Sequence, residues 1–239
     1  RLDFYDAVTE NLAKNKLMVN FHGANTPTGE ERSWPHEMSR EGIYGGEQNI
    51  WAAIGGQHYC ALPFTRLVSG HADFTGGYFG HGPKLRGSSW TLQMAANIIY
   101  TSPMLHWVSN PADMEAAFPK DSPEREVVRN IPSVWEETIV LPPSAIGECA
   151  AFARRSGNQW YIALMNGDGR ERTVSLPLNF LDKTTAYQAS ILRDLAEKND
   201  GWSVETRKVT SGNTLSFTMR IKGGGIVRMV PSGTRHPAP

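Results

Sequence analysis

The second half of the sequence alternates between apolar and polar side chains with a period of two. Three runs show it best, and their apolar members are Trp160, Ile162 and Leu164; Val174, Leu176 and Leu178; and Leu215, Phe217, Met219 and Ile221. Successive side chains of a β-strand point to opposite faces, so each run predicts a strand with one buried face. Turn residues at 156–158 and 166–169 predict hairpins between such strands. We therefore expect an antiparallel β-sandwich over residues 132–239.

A different pattern precedes the breaker Pro142-Pro143 and predicts an α/β domain over residues 1–131. Apolar residues spaced by three and four from Leu2 to Leu12 predict a helix, and the apolar run 17–21 predicts a buried strand of a parallel sheet. The runs 62–68 and 71–74 predict further strands. A helix is expected from about Ser88 to near Pro103, with two more helices starting at Asn110-Pro111 and Ser122-Pro123.

Charge balance and hydropathy exclude two classes of partner. The 239 residues include 24 basic and 24 acidic side chains, and neither part of the chain has the basic excess of a nucleic-acid-binding surface. No apolar run reaches the ~18 residues that a membrane span requires, so we expect no membrane insertion. Two cysteines, Cys60 and Cys149, are too few for a disulfide framework and leave the compartment open.

The densest polar segment follows the first predicted strand. Carboxylates, arginines and glycines crowd into residues 27–47, a loop much longer than usual after a buried strand. Long loops at the carboxyl ends of parallel strands carry catalytic groups in barrel enzymes. The segment is a candidate for acid/base catalysis or for a hard cation such as calcium. The alternative is a solvated loop whose charges pair at the surface, and composition alone favours that alternative.

A series of short motifs in the sequence resembles the catalytic core of glycoside hydrolase family 97. The matching motifs occur in order along the chain: VNFHGA at 19–24, PTG at 27–29, RSWP at 32–35, REG at 40–42, Glu47, LPFTR at 62–66, GHADFT at 70–75, SP at 102–103, HW at 106–107, VWEET at 134–138 and GGG at 223–225. The resemblance implies a calcium-dependent α-glycosidase whose (β/α)8 barrel lies between a large N-terminal β-domain and a smaller C-terminal β-sandwich. Residues 1–131 would then form the C-terminal part of the barrel, and the missing N-terminal part of the enzyme would be a partner of this chain.

The resemblance also implies site residues. It assigns Glu47 as the general acid, which also approaches the metal, and Glu41 as the firmer calcium ligand. Gly23 stands where the inverting, α-glucosidase-like branch has a Glu as base, so the resemblance implies the retaining, α-galactosidase-like branch. That branch uses an Asp nucleophile from the preceding strand, which would lie upstream of Arg1, and we expect the isolated chain to be inactive. The alternatives are an inverting α-glucosidase and a non-catalytic carbohydrate-binding remnant.

Four further residues are substrate-binding candidates, namely His22, Arg32, Arg40 and Asp73. The two arginines are expected either to contact the sugar or, preferably, to hold Glu41 and Glu47 in place. A transition-metal site formed by His58, His71, His81 and Asp73 is a competing idea, and single packed histidines are the favoured reading of these residues. We expect an oligosaccharide or α-glycoside as substrate, and the resemblance favours a periplasmic or extracellular location.

Overall fold

The fold is described from a computed structural model, which covers residues 2–80 and 82–233. The first part opens with helix α1, Leu2–Lys14, and strand β1, Val19–Phe21. Helix α2, Glu30–Ser33, then leads into strand β2, Glu37–Arg40, which pairs with β1 in parallel. The helix and the parallel strand predicted at the start of the chain are confirmed, but the strand is not buried throughout: only Phe21 is buried, and Leu17 and Met18 before it are exposed.

The remainder of the first part is built from short helices. These are a 3₁₀ helix Gly46–Ile50, α3 Gly56–Ala61, 3₁₀ helices Leu62–Phe64, Arg66–Ser69 and Gly82–Leu85, α4 Trp90–Ile99, α5 Pro111–Ala117 and α6 Pro123–Arg129. Side-chain caps begin α4 at Ser89, α5 at Asn110 and α6 at Ser122, which confirms the three predicted helix starts. Among the described residues no helix is both long and apolar enough to cross a membrane.

Two strand predictions in the first part are wrong. The run 62–68 forms two 3₁₀ helices, because Pro63 occupies the first turn of one and cannot donate to a strand ladder. Residues 71–74 lie in no strand of the described chain, and the nearest pairing is a single parallel bridge between Gly76 and Trp107. Apolar runs this short do not distinguish strands from buried helical turns.

The second part is antiparallel throughout. A six-stranded sheet has the order β3-β4-β5-β10-β7-β8, and a separate pair consists of β6 and β9. The strands are β3 Glu137–Val140, β4 Cys149–Ser156, β5 Gln159–Asn166, β6 Arg172–Pro177, β7 Tyr187–Asp194, β8 Trp202–Val209, β9 Thr214–Met219 and β10 Gly224–Pro231. We call residues 137–231 the β region. Its antiparallel pairing confirms the prediction from alternation.

Three details of the alternation prediction are wrong. Strand β5 is buried on both faces rather than on one, because the intervening residues Tyr161, Ala163 and Met165 are apolar too. Residues 156–158 do close a hairpin between β4 and β5. Residues 166–169 do not, because β5 pairs with β4 and β10 whereas β6 pairs with β9, so this turn carries the chain from one sheet to the other. Strand β9 ends at Met219, and Ile221 beyond it is 51% exposed.

The central strands β4, β5 and β10 of the six-stranded sheet are buried on both faces, whereas the edge strands β3 and β8 are largely exposed. One face, with Ile162, Leu164 and Val227, packs in an apolar cluster with β6 and β9. The other face packs against the first part of the chain, chiefly α4, whose contacts fall on β5 and β10. The cluster on that face runs from Ile54 and Leu92 to Ala163 and Ile226. The first part of the chain is thereby fixed on the β region.

Candidate active site

Strands β1 and β2 bring the first two site residues together. His22 and Glu41 each follow directly after a strand, and parallel strands end at the same edge. The backbone N–H of Glu41 donates to the carbonyl of Phe21 at 2.8 Å. The N–H of Gly23 donates to Glu41 Oε2. Gly23 has a φ of +67°, a conformation that glycine adopts without strain.

Glu47 arrives from a separate segment, the 3₁₀ helix Gly46–Ile50. The N–H of Gly46 donates to the carbonyl of Phe74 at 2.5 Å. A Cβ on Gly46 would collide with the carbonyl oxygen of Thr75, so only glycine fits against this segment. The close approach brings Glu47 next to the ends of β1 and β2.

The three side chains converge. His22, Glu41 and Glu47 each offer a donor atom, and these atoms all lie within 4.8 Å of one another. His22 Nε2 is 3.7 Å from Glu41 Oε1. Oxygen Oε2 of Glu47 is buried and has no hydrogen-bond partner. Two carboxylates this close, with one orphaned oxygen, form a donor set that suits a divalent cation.

The two carboxylates lie in different surroundings. Burial raises the pKa of Glu47 above its ordinary value; a hydrogen bond from its own backbone opposes the rise, and the Glu41 carboxylate adds to it. A carboxyl with a raised pKa can hold a proton and release it, as a general acid must. Glu41 is more deeply buried and is held by the Gly23 N–H.

Asp73 lies beneath two histidines. It is 3% exposed and accepts hydrogen bonds from Asn20 Nδ2 at 2.9 Å, from His22 Nδ1 at 3.1 Å and from His106 Nδ1 at 2.7 Å. Burial alone would raise the pKa of Asp73, but the bonds from Asn20, His106 and His22 outweigh it and lower that pKa. The shared carboxylate fixes both rings through Nδ1, and Nε2 of His22 lies toward Glu41.

His22 itself is held in place by charge. Burial alone would lower the pKa of His22, but the hydrogen bond to Asp73 and the carboxylates of Glu41 and Glu47 outweigh it and raise that pKa. The side chain is 53% exposed, so a ligand can reach it. Asp73, in contrast, reaches a ligand only through the histidines that cover it.

The two candidate arginines do not join this cluster. Arg40 is 2% exposed; its Nε contacts Glu37 at 2.5 Å, its Nη1 contacts Glu30 at 3.3 Å, and its guanidinium lies 4.8 Å from the ring centroid of Tyr5. The expectation that Arg40 holds Glu41 or Glu47 directly is wrong, because its donors are taken by other carboxylates. Arg32 is exposed on α2, and no side-chain bond of Arg32 is found within the described residues.

Arg66 is the site residue that the sequence did not reveal. Its guanidinium donates to five backbone carbonyls, those of Arg40, Glu41, Gly42, Gly70 and His71, at 2.8–3.1 Å. It therefore ties the end of β2, which carries Glu41, to the segment that leads into Asp73. Arg66 belongs to the LPFTR motif, but its partners are backbone carbonyls. Every residue has a backbone carbonyl, so the sequence does not indicate which ones Arg66 contacts.

The competing transition-metal cluster does not form among its described members. His58 Nε2 contacts the carbonyl of Tyr44 at 2.8 Å, and His71 is exposed. His81 lies outside the described residues. Across residues 2–80 and 82–233, the only group of three possible metal-binding side chains is His22, Glu41 and Glu47.

Comparison with known proteins gives this arrangement a context. Residues 134–230 match the family model described as glycosyl-hydrolase 97 C-terminal, oligomerisation, and residues 1–43 match the model described as glycoside hydrolase 97. The chain is 33% identical over 223 residues to a probable retaining alpha-galactosidase of Streptomyces bingchenggensis, which covers 93% of this chain and 33% of that protein. It is 29% identical over 199 residues to the retaining alpha-galactosidase of Bacteroides thetaiotaomicron, which covers 77% of this chain and 29% of that protein.

A solved structure agrees with these relatives. A family 97 enzyme from Pseudoalteromonas sp. strain K8, in complex with acarbose, superposes with a TM-score of 0.83 at 28% identity, over 95% of this chain and 37% of that one. The fold thus has its counterpart in a solved family 97 enzyme. The chain belongs to glycoside hydrolase family 97 and matches its C-terminal portion. It spans about a third of the length of the curated relatives.

Proposed function

We propose that this chain contributes the proton donor and part of the sugar site of a retaining α-galactosidase. The observation that carries the proposal is Glu47, a carboxyl whose pKa is raised by burial and which faces Glu41 at the ends of two parallel strands. The names of the two curated relatives support the same activity.

The chemistry assigned to Glu47 has two steps. Its proton goes to the glycosidic oxygen as the bond between that oxygen and the anomeric carbon breaks. The resulting carboxylate then takes a proton from the water that releases the sugar. The nucleophile in our proposal is an Asp that precedes this chain in the full enzyme. The residue after His22 is Gly23, which has no carboxylate to serve as the base of an inverting reaction.

Two histidines complete the sugar site in this proposal. His22 and His106 are fixed by Asp73 through Nδ1, so their other ring nitrogens can bond sugar hydroxyls at set positions. Asp73 would thus act on the substrate through the rings. Arg40 would stabilise the loop through Glu37 and Glu30, and the exposed Arg32 would act only at the edge of the sugar site.

Calcium is the cation proposed for the carboxylate pair. Glu41 would be the firmer ligand, and Glu47 would approach the ion without binding it tightly in its protonated form, because a bound dication lowers the pKa of a carboxyl. The convergence of the two side chains and the orphaned Glu47 oxygen support the assignment. Calcium takes roughly six to eight oxygen ligands, so water or other parts of the enzyme would supply the rest. When bound, the ion would neutralise Glu41 and polarise an oxygen of the substrate.

The proposed architecture is the last part of a (β/α)8 barrel followed by a β-sandwich. In its support, β1 and β2 are parallel and the candidate site lies at their carboxyl ends, where barrel enzymes carry their chemistry. The facing sheets of the β region support the sandwich. The description of the model matched by residues 134–230 supports a role of this region in self-association.

The test is the anomer first released by the complete enzyme. We would follow an α-galactoside and an α-glucoside by NMR, each with and without a calcium chelator. The proposal expects α-galactose first, lost on chelation and restored by added calcium. A β-anomer would establish inversion, and no release from either substrate would favour a non-catalytic carbohydrate-binding role.

A further inference from the structure

The short helix that carries Glu47 is held at its far end by one arginine. Arg86 Nε donates to the carbonyl of Asn49 at 2.9 Å, and Arg86 Nη2 donates to the carbonyl of Ile50 at 3.2 Å. Ile50 follows Glu47 by one turn of the 3₁₀ helix Gly46–Ile50. A planar guanidinium that bonds two successive carbonyls fixes the direction of the helix as well as its position.

Arg86 is in turn held by the β region. Its own carbonyl accepts a hydrogen bond from Lys222 Nζ at 3.0 Å, and the carbonyl of Lys222 accepts one from Ser89 N at 2.9 Å. Both Arg86 and Lys222 have left-handed backbones, with φ of +50° and +51°. Residues other than glycine keep that conformation only where their surroundings enforce it.

The turn that presents Lys222 is held by hydrogen bonds to a neighbouring strand. It joins β9 to β10, and Asp194 at the end of β7 fastens it. Asp194 Oδ2 accepts from Arg220 N at 2.9 Å and from Gly224 N at 3.0 Å, while Asp194 Oδ1 accepts from the Thr91 hydroxyl on α4. A continuous set of bonds therefore runs from the six-stranded sheet to the helix that carries Glu47.

We propose that Arg86 is a positioning residue that orients Glu47 toward the glycosidic oxygen. Lys222 of the β region holds Arg86 in the position that this orientation requires. The inference rests on the proposed role of Glu47 as proton donor. It gives the β region a part in catalysis that is distinct from self-association.

The test compares leaving groups in the complete enzyme. An α-galactosyl disaccharide needs a proton at its leaving oxygen, whereas 2,4-dinitrophenyl α-galactoside leaves without one. Because kcat/KM reports steps up to bond cleavage, a misaimed acid should lower kcat/KM for the first substrate only. For Arg86→Ala we expect a loss of about 10–100-fold on the disaccharide, the size expected when a reacting group is displaced by about 1 Å. The dinitrophenyl substrate should stay within about threefold of wild type, as acid catalysis does not contribute to its cleavage.

Three further variants make the result decisive. Arg86→Lys keeps a donor and should recover part of the loss; Lys222→Met keeps the hydrocarbon stem, removes the donor and should show the same pattern with a smaller loss. Lys84→Ala, an exposed neighbour on the 3₁₀ helix Gly82–Leu85, is the control and should match wild type. If Arg86→Ala does not fold, Arg86→Lys and Lys222→Met carry the test.

The outcomes separate the inference from the proposed function. Equal losses on both substrates, or no loss on either, would overturn the positioning role while leaving Glu47 as the acid. A wild-type enzyme that cleaves neither galactoside would overturn the proposed function, and the inference with it.

Discussion

The β region and the segment that carries the site differ in the acidic side chains that they bury: among the described residues, Glu37, Glu41 and Asp73 are buried in that segment. Strands of the β region bury apolar residues on both faces of the sheet. Residues 19–80, which we call the loop region, bury apolar residues such as Tyr59 and Phe74 too, and in addition they bury charged groups, among them Glu37, Arg40, Glu41 and Asp73. Apolar packing is nondirectional and tolerates small shifts, whereas each buried polar group requires a partner at a set angle. The β region should therefore determine whether the chain folds, and the loop region where its reactive groups point.

The largest expected effect falls on the loop region, and it concerns activity. Glu47→Gln keeps the shape of the side chain but removes the proton donor that we propose, so kcat/KM of the complete enzyme on an α-galactosyl disaccharide should fall by about 10²–10⁴-fold. Circular dichroism and the melting temperature should match wild type. The exposed Glu115→Gln is the matched control and should leave both activity and stability unchanged. Near-normal turnover of the disaccharide by Glu47→Gln would sink the assignment.

The next effect falls on the β region, and it concerns stability. Phe217 on β9 is 1% exposed, packs in the apolar cluster between the sheets and lies 4.2 Å from the guanidinium of Arg193. Phe217→Ala should lower the free energy of unfolding by about 3–5 kcal/mol, because it leaves a cavity. Urea denaturation of the purified chain measures this loss. Its neighbour Ser216 faces outward, so Ser216→Ala should change stability by less than about 0.5 kcal/mol. A similar loss for both variants would mean that the two faces of β9 do not differ in burial.

The smallest of the three effects tests whether the loop region controls geometry rather than folding. Arg66→Lys retains the charge but cannot reach all five carbonyls, so the ends of β2 and of the segment before Asp73 should separate. We expect calcium affinity or turnover to fall by about 10–100-fold, the usual cost of losing a residue that orients metal ligands. Calcium titration by calorimetry and steady-state kinetics measure the two quantities.

The control for Arg66 is Arg170→Lys, since the Arg170 side chain is 85% exposed. A lower melting temperature with unchanged calcium binding and kcat would make Arg66 a residue of stability alone. That result would also remove the distinction drawn between the two regions.

The elements predicted correctly from sequence are those whose cause is local. Helices α4, α5 and α6 begin at capping side chains that bond within their own first turn. The alternation of β6 and β9 records which side chains face the apolar cluster. The strand predicted over residues 62–68 was wrong because an apolar run of this length fits either a strand or a buried helical turn. Pro63 favours the helical turn, since it cannot donate to a strand ladder.

The candidate site was less accessible to local reasoning. Glu41 and Glu47 were found through the family resemblance, since their spacing alone fits a solvated loop. Their closeness depends on Gly46 resting against the segment at Phe74, a contact between distant residues. Arg66 and Arg86 bond backbone carbonyls, which every residue has, so no partner in the sequence marks them. The prediction for Arg40 was wrong because several carboxylates lie near it in sequence. Only the fold shows that its partners are Glu37 and Glu30 rather than Glu41 or Glu47.

The first part of the chain covers one face of the six-stranded sheet, so the two parts cannot be separated without exposing that face. Ala163 and Ile226 of the sheet share one apolar cluster with Leu92 and Ile54 from the first part of the chain. Cleavage of the chain near residue 131 would expose that face of the sheet to water as an apolar patch that is prone to aggregate. The two stretches recognised separately by sequence therefore form a single cooperative unit, and loss of one on heating should take the other with it.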